Sequence, residues 1–326
     1  LGSWRMKSFK SILYVVEDPT AESSAAVARA ASLARNNQAR LTVLHVAEEP
    51  RLGPFAGSIA IEDLRSRLRQ QATERLSALL RSAGRETDHV VDVRLGTAFV
   101  EVIREVLRSR HDLVIKTVGE GGAHSFLFGG TDQHLLRKCP CPVWIMVGET
   151  SANYRHILAA VDFDPWDEDD EEGDLNRQIL DIAAMLAVTD FAQLHVVHAW
   201  EPISDSLIRV FGSELSEKEV ATNRNREWRE HQSRLDALNT RMREQFGGEA
   251  HGYLTPRFHL REGTPRDVIP ALANELKADL VVMGTVSRTG IPGLLIGNTA
   301  EVILNNLECG VLAVKPAGFV TPVTLD

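Results

Sequence analysis

The residues of this chain best suited to chemistry surround a glycine-containing loop. It reads Gly284-Thr-Val-Ser287-Arg288-Thr-Gly-Ile-Pro-Gly-Leu-Leu-Ile-Gly297-Asn298-Thr299-Ala-Glu301, and a strongly helical segment, 300–306, follows. Exposed N–H groups at a helix start, with Asn298 and Thr299 beside them, favour an anion such as phosphate. Arg288 can reach a phosphate or simply meet solvent. Asp162 ends a short apolar run, where a carboxylate can accept a hydrogen bond from a ribose hydroxyl or an adenine amine. A plainer assignment fits the same residues. Asn298 or Thr299 can be an N-cap, and Asp162 can cap the helix that follows it.

Other candidates carry less. His45 and His198 occupy matching places at the ends of two apolar runs, which points to a packed, hydrogen-bonded histidine of the fold. Cys139-Pro-Cys141 lacks the second ligand pair of a zinc site. Cys141 and Cys309 fall at equivalent places before apolar runs, so packing is their first expected role. The acidic run 162–174 reads as a solvated loop rather than a metal site. No nucleophile–histidine–carboxylate arrangement and no metal-ligand cluster is legible.

The loop belongs to a duplicated framework. Lys10-Ser-Ile-Leu-Tyr-Val-Val-Glu17 matches Arg155-His-Ile-Leu-Ala-Ala-Val-Asp162. Gly96-Thr97 stands 16 residues before Asp112-Leu-Val-Ile115, and Gly263-Thr264 stands 16 before Asp279-Leu-Val-Val282. Each half closes on a cysteine and an apolar run, at Cys141 and at Cys309. The domains are therefore expected at 6–150 and 151–326, with the boundary near 148–153.

Within each copy, short apolar runs alternate with helical periodicity. Strands are expected at 12–16, 41–46, 90–95, 113–116 and 143–147, then at 157–161, 194–199, 257–260, 280–283 and 311–314. Helices are expected at 21–36, 61–83 and 100–110, and at 174–188, 214–246, 266–277 and 300–306. Strands apolar throughout, alternating with helices, imply a parallel sheet covered on both faces. The fold class is α/β: two tandem doubly wound, Rossmann-like domains of five strands. Ligands of such sheets sit outside the carboxyl ends of the strands. An apolar edge is an aggregation risk, so the closing strands 143–147 and 311–314 are expected to lie adjacent about a pseudo-two-fold axis.

The 326 residues suit two domains, and a net charge of −9 argues against a general nucleic-acid binder. Three cysteines give no disulfide framework and suit a reducing, cytoplasmic setting. No signal-peptide pattern and no run of 18 apolar residues is present, so no membrane span is expected. Leu1–Arg5 precede Met6 and read as an appended segment.

Taken together and occurring twice, these patterns resemble the universal stress protein family, in its tandem E-type with two fused domains. The resemblance covers nearly the whole chain, from Met6 to about Pro316. In nucleotide-binding members the loop is Gly, two residues, Gly, nine residues, Gly, then Ser or Thr. The second copy keeps that spacing, with Ser287 in place of the second Gly and Asn298 in place of Ser or Thr. The resemblance implies that Gly284 lies against the ribose. It implies that Ser287 and Gly297–Thr299 hold phosphates, and that Asp162 and the backbone of Ala199 hold adenine. The first copy departs further: Glu17, Thr117 and Glu120 stand where Asp162, Gly284 and Ser287 stand. Only eight residues separate Glu120 from Gly129. It is not expected to bind nucleotide.

The expected function is a non-catalytic stress-response regulator or sensor that binds ATP, ADP or AMP in the second domain, with Mg accompanying ATP. The alternatives are a nucleotide-independent structural or signalling module, and a slow ATP hydrolase or nucleotidyl-transferring enzyme. The expected assembly is an intramolecular pseudo-dimer, open to a further homodimer, with neither nucleic acid nor membrane as partner.

Overall fold

The computed structural model describes residues 8–49, 61–83, 89–118, 130–147, 153–163, 173–202, 216–247, 252, 254–285 and 297–325. In the first repeat the elements are β1 (Ser11–Val16), α1 (Ser24–Asn37), β2 (Arg40–Ala47), α2 (Ile61–Ser82), β3 (His89–Leu95), α3 (Ala98–Ser109), β4 (Leu113–Thr117), α4 (Gly130–Lys138) and β5 (Val143–Met146). In the second they are β6 (His156–Ala160), α5 (Gly173–Asp190), β7 (Gln193–Trp200), α6 (Glu217–Phe246), β8 (Arg257–Glu262), α7 (Pro265–Leu276), β9 (Leu280–Gly284), α8 (Asn298–Asn306) and β10 (Gly310–Val314). The α/β class and the alternation read from the sequence are present.

The chain forms two compact units. One holds 8–152, 285–297 and 308–326, and the other holds 1–7, 153–284 and 298–307. The first orders its strands β3-β2-β1-β4-β5-β10, and the second β9-β6-β7-β8. All these pairings are parallel except one. β10 runs antiparallel to β5, with Leu312 opposite Trp144, so the two closing strands are neighbours. Every residue of β1, β5 and β10 is buried, as expected of strands covered on both faces.

Local chemistry sets the element ends. Gly96 and Gly263 have φ of +146° and +131°, a region that L side chains rarely adopt. Their N–H groups donate to the carbonyls of Ala47 and Trp200, which stops β3 and β8 and turns the chain into α3 and α7. α1 begins at Ser24 rather than 21, because Asp18 organises the preceding turn. Its carboxylate accepts from the Thr20 N–H at 2.8 Å, and its carbonyl accepts from Glu22. α6 begins at Glu217 rather than 214, because Ser216 and Glu219 form a capping box there.

Three histidines cross the second unit on adjacent strands. His156 Nδ1 lies 3.3 Å from His195 Nε2, and His195 Nδ1 lies 3.0 Å from His259 Nε2. His195 is 1% exposed. Burial first, then His259, His156 and Arg257, hold its pKa down to about 4. The folded chain therefore resists a proton that the unfolded chain accepts near pH 6.5. Stability is fully present above that pH and is lost as pH falls towards 4. The loss from this group is up to about 3 kcal/mol, at 1.36 kcal/mol per unit. His195→Gln, which can bond both neighbours and does not titrate, is expected to flatten the pH 6.5–4 slope of unfolding free energy measured by urea denaturation. An unchanged slope would contradict this.

Candidate functional site at the carboxyl ends of the strands

In the second unit, Asp162 follows β6 after Val161, whose N–H donates to Val197 O. Asn176, near the start of α5, holds the Asp162 main chain from both sides. The Asp162 N–H donates to Asn176 Oδ1 at 3.1 Å, and Asn176 Nδ2 donates to Asp162 O at 2.7 Å. Asn176 is buried while the Asp162 carboxylate is 65% exposed. The main chain is thus tied down and the acid points to solvent.

An aromatic group stands beside it. Phe163 stacks on His198 with centroids 3.8 Å apart, and His198 Nε2 lies 2.9 Å from His231 Nδ1 of α6. Trp200 tilts against His231 at 5.1 Å. His198 Nδ1 meets Val161 O at 3.4 Å, and His45 Nδ1 meets Val16 O at 2.9 Å in the first unit. The matching histidines thus share one structural bond, as expected from their symmetry. Phe163 and Asn176 also line a pocket of about 620 Å³ between α5 and α6, with Arg177, Arg234 and Arg241 on its wall.

Gly284 is the last residue of β9 and has no left-handed φ. A Cβ placed there would lie 3.0 Å from Leu175 Cδ2. Glycine at this position gives the Leu175 side chain of α5 room to pack on the strand end. Ala199 is buried in β7, opposite Arg261. Asn298 and Thr299 are exposed in the first turn of α8, where helix geometry leaves N–H groups without intrahelical partners. The Gly297 N–H donates to Thr285 O at 3.1 Å, which ties the two ends of the loop together. Ser287, Arg288 and, in the first copy, Glu120 and Gly129 lie outside the described residues, as does most of the acidic run.

The same place in the first unit is built differently. Lys116, 1% exposed, donates to Glu17 at 2.6 Å and to Thr117 O at 3.0 Å, and meets Asp132 at 2.9 Å. Burial opposes its charge, but Asp132 and Glu17 outweigh burial and raise its pKa. Thr117 Oγ1 donates to Glu22 at 2.6 Å, and Tyr14 OH donates to the same oxygen at 3.0 Å. Burial raises the pKa of Glu22. Aligning the repeats sets Met283 against Lys116, Gly284 against Thr117, Asp162 against Glu17, Leu175 against Glu22 and Ala300 against Asp132. One repeat carries a cross-bonded polar network, and the other carries apolar residues and one exposed acid.

Sequence reasoning missed a serine–histidine–carboxylate arrangement. Ser11 Oγ lies 2.9 Å from His111 Nδ1, and His111 Nε2 lies 3.3 Å from Glu105 Oε1. All three are buried, and Arg40 donates to Ser11 Oγ at 3.2 Å. The group sits at the amino end of β1, remote along the strand from the carboxyl ends. Among the described residues no cluster of three or more metal-ligating side chains occurs, and no helix is long and apolar enough to cross a membrane.

Comparison with known proteins agrees with this architecture. The model of the Universal stress protein family matches residues 8–146 and 153–315. Universal stress protein E of Escherichia coli K12 is 34% identical over 230 residues, covering 70% of this chain and 68% of the relative. A Universal stress protein E homolog of Haemophilus influenzae is 30% identical over 322 residues, covering 95% and 98%. The crystal structure of a putative universal stress protein from Pseudomonas aeruginosa UCBPP-PA14 superposes with a TM-score of 0.64 at 28% identity, covering 95% of each chain. The doubly wound α/β fold and its repeated closing strands define a tandem-domain protein. This chain belongs to the universal stress protein family.

The first-repeat network makes a direct prediction. Lys116→Met leaves Asp132 buried without its cation and is expected to destabilise the chain by about 3–5 kcal/mol. Adding Asp132→Ala, which copies the second repeat, should recover at least half of that loss in urea unfolding. Equal or additive losses would show that the pair is not coupled.

Proposed function

We propose that this chain is a stress-response sensor that binds one adenine nucleotide, in its second repeat, without turning it over. The observation that carries the reading is the contrast between the repeats. Where the first gathers Glu17, Glu22 and Asp132 around Lys116, the second has Met283, Gly284, Leu175 and Ala300 at the aligned positions beside Asp162, an exposed carboxylate 4.0 Å from His198 Nδ1. Three carboxylates repel a phosphate. A single exposed acid beside a glycine suits a ribose hydroxyl or an adenine amine. The first-turn N–H groups of α8 favour phosphate charge. Ser287 and Arg288 are the proposed further phosphate contacts, and Ala199 offers backbone to the base. Mg would accompany ATP. The cytoplasm, a reducing compartment, suits three cysteines outside any disulfide.

One observation favours the nucleotide-independent module. The Gly297 N–H is already bonded to Thr285 O, so a phosphate at Gly297 must displace that bond.

Calorimetric titration with ATP, ADP and AMP separates the two. One equivalent per chain is expected. Asp162→Ala should weaken binding roughly 10–100-fold, the loss of a bond to a charged group at about 1.5–3 kcal/mol. Gly297→Val should abolish binding while the circular dichroism spectrum is retained. Ser287→Gly tightens binding if the Ser287 Cβ obstructs the phosphate and weakens it if the hydroxyl donates. Two equivalents, or no heat from any of the three at millimolar concentration, would overturn the proposal.

A further inference from the structure

Outside the nucleotide site, two thiols are held together. Cys139 Sγ and Cys141 Sγ lie 3.6 Å apart. Cys139 is 0% and Cys141 7% exposed. The tripeptide is pinned at both ends. The Cys139 N–H donates to Leu135 O at the end of α4, and Pro142 O accepts from the Val114 N–H of β4. Pro140 fixes its own φ between them. The backbone of the two cysteines is therefore held in place by α4 and β4.

A buried cation stands beside them. Lys315, 4% exposed, donates to the Leu136 carbonyl and to Thr285 Oγ1. Burial lowers its pKa to about 8, against the pull of Cys139. Burial alone would raise the Cys139 thiol. The hydrogen bond from Cys141 and the charge of Lys315 outweigh burial and bring it below the usual value. Cys141 is pushed well above, by its bond to Cys139 and by burial. The charge of Lys315 therefore favours Cys139 over Cys141 as the sulfur that gives up its proton.

We infer that Cys139 and Cys141 are a redox-active dithiol that a small peroxide closes to an intramolecular disulfide. The Cys139 thiolate attacks one oxygen of hydrogen peroxide, the O–O bond breaks, and hydroxide leaves with Cys139 as a sulfenic acid. The Cys141 sulfur then attacks the Cys139 sulfur, and the sulfenic hydroxyl leaves as water with the Cys141 proton, while the hydroxide of the first step takes the proton that the Cys139 thiol gave up and becomes the second water. Two thiols and one peroxide give one disulfide and two waters. Cys139 has no exposed surface and Cys141 keeps 7%, so oxidation takes place when the Cys-Pro-Cys turn opens locally at Cys141, and the small size of hydrogen peroxide keeps that opening small. Closure needs the sulfurs to approach from 3.6 Å to about 2.05 Å. A ring this short gains little from loop closure and carries strain, so the disulfide should be readily reduced, as switching disulfides are. Lys315 acts as a positioning residue for charge. It also holds Thr285, whose carbonyl bonds Gly297 at the far end of the glycine loop.

The test uses the full chain carrying Cys309→Ser, treated with hydrogen peroxide, quenched by alkylation and mapped by mass spectrometry. The expected product is a monomer two mass units lighter across the peptide containing Cys139 and Cys141, restored by dithiothreitol. In Cys141→Ser, dimedone should trap a sulfenic acid on Cys139. Lys315→Met should raise the pH midpoint of Cys139 alkylation, and Lys315→Arg should bring it back, which a purely structural lysine would not do. Both thiols still alkylated at peroxide levels that oxidise free cysteine, or oxidation that ends in sulfinic acid, would overturn the inference. The wild-type chain, mapped in parallel, gives the same reading should a variant fail to fold.

Discussion

Everything at the carboxyl ends of these sheets depends on a carboxylate at the opposite end. The Asp112 side chain accepts the N–H groups of Lys10 and Ser11, at 2.7 and 3.0 Å. Asp279 does the same for Arg155 and His156, at 2.6 and 2.9 Å. Each staple fixes the amino end of the repeat's first strand against that of its fourth. With β1 locked to β4 and β6 to β9 in parallel register, the residues that follow the first strand come to lie beside those that end the fourth. Glu17 meets Lys116 for this reason. A slip of one residue would reverse every side chain on a strand buried on both faces.

Given that shared frame, the repeats diverge by a coordinated exchange of charge for packing. Lys116 is tolerable in a buried position only because Glu17 and Asp132 meet it; a buried cation without partners would lose its proton. Glu22, Thr117 and Tyr14 complete that solution. In the second repeat the lysine and Asp132 give way to Met283 and Ala300, so no buried charge needs an answer. Asp162 is then left exposed, with its main chain fixed by Asn176. The difference is in what fills one place, and the backbone architecture hardly changes.

Much of this was legible in the sequence. The duplicated Asp-Leu-Val pattern marked both fourth strands, since each aspartate precedes an apolar run; that the same aspartates bond the start of the first strand needed the fold. Gly96 and Gly263 were readable as strand ends because only glycine takes the φ that the turn requires. What escaped had no local signature. Nothing near Gly284 in sequence announces that Leu175 packs on it, and the pairing of Lys116 with Asp132 needs β4 and α4 in place. The chain of His156, His195 and His259 arises from diagonal neighbours on three strands and follows no periodicity. Cys139 and Cys141 were readable as an unpaired zinc motif, but the buried Lys315 beside them comes from far along the chain.

The central claim is that one repeat was freed for a ligand while its twin was closed by ion pairs. Hydrogen–deuterium exchange of the intact chain, with and without saturating ATP, addresses it most directly. The account expects slowed exchange in peptides covering Val161–Phe163, β9 and the first turn of α8, with no change in peptides covering β1, β4 and α4. Protection in the first repeat, or none in either, would contradict it.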